Sequence, residues 1–311
     1  MLVPSCGVLL GGYLTSFGGT NADGQLTNFD ADSGSTVSVV HDYRRPGQTL
    51  SAGDVQVAQT PGVLLLLNWK PANTWSDAAG GNASVNSQID AMAESIKALG
   101  QTKIFLTIFH EPENDVSSGA SSCPSTIYKG SAGTPADYRA MWANVEARFA
   151  ALNVTNVVWV MNYMGFTGWN CMVDDLWPGN SLVDWILWDP YSSDSTTFVQ
   201  AVSPFYNTLT SMSDATHDFT SKPWGLGEFG YRAASDTNEE QFYSTVAQAI
   251  DSGQFPEMKL FTFFDAIGNT GDYRVAYDHA GIFDPKELAD LKVLDQDPNV
   301  VGGQESVDGG S

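Results

Sequence analysis

The sequence predicts an α/β protein folded as a single (β/α)8 TIM barrel. Eight short apolar runs rich in β-branched and aromatic residues follow one another along 311 residues, with stretches of helical pattern between several of them. The runs are apolar nearly throughout, without the polar alternation of a half-exposed sheet, which is the mark of parallel strands buried on both faces. Eight such units close into a barrel, and this length is ordinary for one barrel with one core. A doubly wound open sheet is the structural rival, but no G-x-G-x-x-G follows the first run.

In order, the runs are GVLLGGYL (7–14), STVSVVHDY (35–43), GVLLLLNW (62–69), KIFLTIFHE (103–111), NVVWVMNY (156–163), VDWILWDPY (183–191), PWGLGEFG (223–230) and LFTFFDA (260–266). Helices are expected over 84–100, 134–152, 195–212 and 235–253, with shorter ones near 50–59 and 285–292. Two helix starts are marked. Thr134 stands before Pro135 as a capping hydroxyl ahead of a first-turn proline, and Ser235 or Asp236 stands ahead of Glu239 and Glu240. The barrel is expected to occupy residues 1–292, and the acidic, glycine-rich 293–311 to be a tail or linker.

Hydrophobic residues make up 42% of the chain and charged residues 16%, enough apolar material for a packed core. Against 36 acidic side chains there are 14 basic ones, a net charge of −22 that repels nucleic acid and anionic membrane surfaces. The longest apolar runs, such as Val63 to Leu67, fall far short of the roughly 18 residues that a membrane span requires. The opening MLVPSCGVLLGGYL has no basic segment before its apolar residues and no small-residue cleavage site after them, so it reads as a strand. Any secretory leader is expected to be absent from this chain.

The chemistry is expected where strands end in acids. Active sites of these barrels lie at the carboxyl ends of the strands. Glu111 closes the fourth run and Glu228 the seventh, far apart in sequence but neighbours across a barrel mouth. Two carboxyls there meet the needs of glycoside hydrolysis, in which one donates a proton to the leaving oxygen while the other, ionised, attacks the anomeric carbon. Glu111 follows an apolar strand and precedes Pro112, so desolvation is expected to raise its pKa for acid/base work. Glu228 lies between Gly227 and Gly230, where exposed backbone amides are expected to hold it ionised.

The sequence resembles glycoside hydrolase family 26, of the clan of retaining (β/α)8 glycosidases, through FHEP, WPGNSLVDWILWDPY (177–191) and GLGEFG in that order. The resemblance spans the chain from the first strand to the eighth. It implies a β-mannanase-like, endo-acting enzyme that needs no cofactor, with Glu111 as acid/base, Glu228 as nucleophile, His110 as a sugar contact and Tyr191 as the hydroxyl orienting the nucleophile. The chain departs from the mannan-cleaving members in PENDVSSGASSCPS (112–125), where they carry Asn-Gly and tryptophans, and in FTFFDAIGN, which offers Phe264 and Asp265 where they tend to carry tryptophan.

Further substrate contacts are expected at Trp69 and Trp169, whose flat faces suit the C–H side of a pyranose, and at Asn162, His41 and Asp265. Cys123 and Cys171 fall in loops after the fourth and fifth strands, adjacent on one barrel face, and are expected to pair. Such a bridge suits an extracellular protein, secreted or borne on a phage virion. Cys6 is then left over, buried at the first strand. A monomer acting on polysaccharide is expected, the substrate being a mannan-like, mixed-linkage or bacterial envelope glycan. Two rivals stand against it: a barrel that binds polysaccharide without cutting it, and a cation site of His110, Glu111, Glu113 and Asp115. The second is disfavoured by a chain with only four histidines, at 41, 110, 217 and 279, and no H-E-x-x-H.

Overall fold

The computed structural model of the chain describes residues 1–117, 123–124, 130–193, 196–232, 236–278 and 280–301. Eight strands form the barrel: β1 (Val8–Tyr13), β2 (Val39–Arg44), β3 (Leu64–Trp69), β4 (Ile104–Ile108), β5 (Val157–Tyr163), β6 (Trp185–Trp188), β7 (Trp224–Tyr231) and β8 (Met258–Phe264). Each pairs in parallel with the next, and β8 returns to pair with β1 through Leu9↔Leu260 to Tyr13↔Phe264, which closes the sheet. The helices α1 (Ala22–Ser33), α2 (Ala52–Gln59), α3 (Ala83–Lys97), α4 (Pro135–Ala151), α5 (Val173–Leu176), α6 (Phe198–Met212), α7 (Asp236–Asp251) and α8 (Pro285–Asp295) follow their strands in turn.

The caps explain several boundaries. Thr134 accepts from the Asp137 amide while the Asp137 side chain accepts from the Thr134 amide, a reciprocal box with Pro135 in the first turn. Asp236 opens α7, and Ser235 lies outside the described residues. Helix α1 was not expected. Its segment, ADGQLTNFDADS, places only Ala22, Leu26 and Phe29 as apolar residues in the core, too thin a stripe to read against so polar a background. The readable signal was Asn21, whose side chain caps the helix by accepting from the Gly24 amide.

The core has two compartments because every strand is covered twice. Leu9, Val39, Leu66, Phe105, Val158, Val160, Trp185, Leu187 and Leu260 fill the barrel itself, while the alternate residues, among them Leu65, Leu67, Leu106 and Ile186, pack outward under the helices. Above the inner apolar layer, the same alternation brings His41, Asn68, Thr107, Asn162 and Thr262 inward, all of them buried. The barrel is therefore apolar at its base and polar beneath its mouth.

Residues 293–301, expected from composition to begin the tail, are part of this structure. Val293 to Asp295 complete α8, and the two-residue strand Val300–Val301 pairs with Val8 and Leu9. Positions 302–311 lie outside the described residues. Cys6 is exposed, contrary to expectation, because Val8, and not Cys6, is the first residue of β1. Among the described residues, no helix is long and apolar enough to cross a membrane.

Cys123 and Cys171 are bridged, tying the segment after β4 to the one after β5. Their 48-residue separation corresponds to a loop-closure entropy of about 4 kcal/mol in the chain-entropy description. Reduction is expected to lower the melting temperature by several degrees; an unchanged thermal transition in reductant would show that the bridge adds nothing to stability.

Candidate active site

The end of β4 is where regular strand geometry stops. Phe109 and Glu111 both take left-handed backbone conformations, with φ of 59° and 50°, which L-residues other than glycine adopt at a cost. These two turns abolish the strand's alternation, so that Ile108 and Phe109 both pack into the outer core while His110 and Glu111 are delivered to the mouth. The geometry is locked from both sides: the Phe109 amide donates to Trp69 O at 2.8 Å and the Glu111 amide to Asn162 O at 2.9 Å. Glu111 then heads the short turn Pro112–Asp115, and Asn114 Nδ2 donates to its Oε2 at 3.0 Å.

Strand β7 uses a different device. Leu226 pairs with Phe261 and Phe229 with Phe263, so three steps along β7 match two along β8, and one extra residue bulges out. Without that bulge, Glu228 would share the outward face of Trp224 and Leu226; with it, Glu228 turns into the mouth. There it is almost fully buried. The Tyr43 hydroxyl donates to its Oε1 and the Tyr191 hydroxyl to its Oε2, so each oxygen has its own phenol. A third acid, Asp189 at the end of β6, accepts from the Glu228 amide at 2.8 Å and from Asn162 Nδ2 at 2.8 Å.

One carboxylate oxygen from each of Glu111, Asp189 and Glu228 lies within 4.8 Å of the others. Three negative charges this close and this buried are unfavourable, so their pKa values rise. Glu111 is driven up to about 8, first by desolvation and then by the charges of Glu228 and Glu113, even though one flank of the residue stays open to the mouth. Asp189 is raised well above the usual carboxylate range by its burial, then by Glu228 and Glu111. Burial also pushes Glu228 upward, but the two phenols donate to its ionised form and pull it back. Burial and neighbouring charge thus favour the protonated form of Glu111, while the two phenols favour the ionised form of Glu228 against its burial. A cation enclosed by the three acids would compete with donors that already occupy the oxygens of Glu228 and Asp189.

His110 lies with Nε2 3.6 Å from Glu228 Oε1, outside hydrogen-bond reach, and burial lowers its pKa to about 3, which makes it a neutral ring at the mouth. The other acids of the turn are structural. Glu113 is buried and accepts from the Met164 amide at 3.0 Å and the Gly165 amide at 3.4 Å, pinning the loop after β5, while burial drives its carboxyl to about 7. Asp115 pairs with Lys70 at 3.3 Å. His110, Glu111, Glu113 and Asp115 therefore do not converge on one point; His279 and residues 118–122 of the following loop lie outside the described residues.

Four expected sugar contacts are corrected. Trp69 is fully buried on the outer face of β3, against Phe149 of α4, because Leu66 and Asn68 take the inward positions of that strand. His41 is buried one layer below the mouth, with the Tyr43 ring 4.5 Å away. Asn162 is buried beneath the acids, where it holds Asp189; a Cβ on Gly227 would collide with its Oδ1. Asp265 is buried at the end of β8 and accepts from the Ser16 amide and from the Val275 amide at 3.1 Å, joining two loops. Trp169 is partly buried, with Phe166 edge-on at 5.6 Å. Tyr43 and Asp189 were missed, although both stand at the end of apolar strands in HDY and WDP, the same signal that singled out the glutamates.

Removing one of the crowded charges has a testable consequence. Glu111 titrates near 8 in the folded chain against 4.5 for a free glutamate, so the folded state retains a proton that the unfolded chain gives up. The resulting stability is complete below about pH 4.5 and is lost as pH rises through about 8. Glu111→Gln, which never ionises, is expected to raise the melting temperature at about pH 9 but hardly at about pH 5, by about 2–4 °C for each kcal/mol of relieved repulsion. Calorimetry at the two pH values checks this, and equal shifts would contradict it.

The chain is thus a closed parallel (β/α)8 barrel with an acid cluster at the carboxyl ends of β4, β6 and β7. No family model matches the chain, and no curated protein matches it. Solved structures do. The GH26 domain of an endo-beta-mannanase/endo-beta-glucanase from Prevotella bryantii superposes with a TM-score of 0.62 at 15% identity, over 99% of this chain and 94% of that one. The two-domain form from the same organism gives 0.66 at 14%, over 99% of this chain but 46% of that one, so the chain spans about half of that longer protein. A modular endo-beta-1,4-mannanase from Cellulomonas fimi gives 0.64 at 18%, over 96% of this chain and 73% of that one. The chain shares the (β/α)8 barrel fold of these structures.

Proposed function

We propose that the protein is a retaining, endo-acting glycoside hydrolase that cleaves a β-linked polysaccharide. The observation that carries this reading is the meeting of a Glu111 and a Glu228 carboxylate oxygen within 4.8 Å, the first carboxyl pushed upward in pKa by burial and the second cradled by two phenols. Retaining enzymes hold their carboxyls about 5–5.5 Å apart, whereas inverting ones leave about 6.5–9.5 Å for a water. In the first step a Glu228 oxygen attacks the anomeric carbon as the glycosidic C–O bond breaks, and the Glu111 proton passes to the leaving oxygen. In the second, water attacks the same carbon, returns a proton to Glu111 and frees Glu228.

Several features support this reading. The fold is shared with structures described as mannanases. A disulfide is at home in an oxidising compartment, which favours an extracellular site of action. The net charge of −22 suits an uncharged glycan better than an anionic one. The barrel's polar mouth suits a mannan-like or mixed-linkage chain, or a neutral envelope glycan.

Incubation with a panel of β-linked glycans, followed by measurement of new reducing ends and of the anomer first released, tests the proposal. New ends with the β-anomer first are expected. Glycan retention without cleavage would make the barrel a binding module instead, and the α-anomer would contradict double displacement.

A further inference from the structure

Two cavities lie on opposite sides of the barrel. The larger, about 570 Å3, is polar and sits over β1 and β2, among Asn21, Gln25, Asp42, Arg44 and Gln48. The smaller, about 260 Å3, sits over β5 and β6 and is walled by Gly165, Phe166, Pro190, Tyr191 and Pro204, with Asp189 at its inner end. In the ring of eight strands these two pairs face each other across the mouth.

The position of the acid gives the cleft a direction. A general acid delivers its proton to the oxygen that departs, so the departing sugar lies on the acid's side of the scissile bond. Glu111 belongs to the β5 side: its amide bonds to Asn162 O, and the same short turn carries Glu113, whose carboxyl holds the Met164 and Gly165 amides at the edge of the smaller cavity. Phe166 follows at once and is 56% exposed, unusual for an aromatic ring that borders a cavity. Its ring stands at 83° to that of Trp169, with centroids 5.6 Å apart, and an exposed aromatic ring of this kind suits the C–H surface of a pyranose.

We infer that the cavity over β5 and β6 is the binding site for the pyranose on the leaving-group side, with Phe166 as its stacking platform and Glu113 as the positioning residue that ties its wall to the turn bearing Glu111. This rests on the hydrolase reading above. The sugar it takes is neutral, since its walls are predominantly apolar and its one inward acid, Asp189, is already bonded by Asn162 and the Glu228 amide.

Two substrates prepared from the glycan that the wild-type protein cleaves test it: the tetrasaccharide, which places sugars on both sides of the bond, and the β-fluoride of the disaccharide, which has no leaving sugar. The ratio of kcat/KM for tetrasaccharide over fluoride is expected to fall about five- to tenfold in Phe166→Ala, mainly through KM, the loss of one stacking contact. Glu113→Gln is expected to lower the same ratio, whereas a purely structural role would depress both substrates alike. If wild type cleaves its glycan and neither variant changes the ratio, the leaving-group site is overturned and the hydrolase reading stands. If wild type cleaves no glycan, both fall together.

Discussion

Glu228→Ala is expected to lower turnover of the polysaccharide by about 10⁴-fold or more while the barrel stays folded. The loss is large because no other group can take over. Glu228 is the acid whose two oxygens are each bonded by a phenol, from Tyr43 and Tyr191, an arrangement that aims the carboxylate and favours its ionised form against the burial that raises its pKa. Asp189 is close but accepts from two donors of its own, and burial raises its pKa well above the usual carboxylate range. Added azide is expected to restore cleavage in the alanine variant by attacking the vacated face, giving a glycosyl azide of inverted configuration. Glu228→Gln keeps the side chain's shape and an acceptor for one of the phenols, and serves as the control for folding. Turnover near the wild-type rate in either variant would remove Glu228 from the mechanism.

Glu111→Ala has the second largest effect, and its size depends on the leaving group. Cleavage of the glycan, whose leaving alcohol needs a proton, is expected to slow by about 10²–10⁴-fold, the usual worth of a positioned acid. Formation of the covalent intermediate from a β-fluoride is expected to be nearly unaffected, since fluoride leaves without that proton. The pH profile carries the same signature. Wild-type activity should fall as pH rises through about 8, where Glu111 loses its proton, and this alkaline limb should disappear in the alanine variant acting on the fluoride. Equal slowing on both substrates would mean that Glu111 shapes the site without donating the proton.

Much of this was readable in the sequence because parallel barrels leave coarse marks. Eight doubly buried strands appear as unbroken apolar runs, and an acid that interrupts such a run at its end stands out, as Glu111 and Glu228 did. The same property hid the rest. When both faces are apolar, nothing in the letters says which residue points inward, so Trp69 and Asn68 could not be told apart; only the placement of Leu66 inside the barrel settles that Trp69 faces the helices. His41 and Asn162 point inward, as mouth residues must, but one layer too low.

The two glutamates proposed as catalytic do not obey strand alternation. Glu111 reaches the mouth through two left-handed residues, and Glu228 through a bulge; no propensity scale marks either. Both are departures from regular geometry at the place where chemistry is expected, which is where folds tolerate strain. Gly227 makes the second departure possible, since any side chain there would strike Asn162. The acid knot that follows His110 also resolves into separate tasks: Glu111 faces the mouth, Glu113 holds the β5 loop and Asp115 pairs with Lys70.

The most direct test is to trap the intermediate. A 2-deoxy-2-fluoro-β-glycosyl fluoride of the sugar that the protein releases should inactivate it stoichiometrically, and mass spectrometry of the digested protein should find the fluoro-sugar esterified to Glu228. A label on Glu111 or Asp189, or continued hydrolysis of the natural glycan with no label at all, would contradict the account.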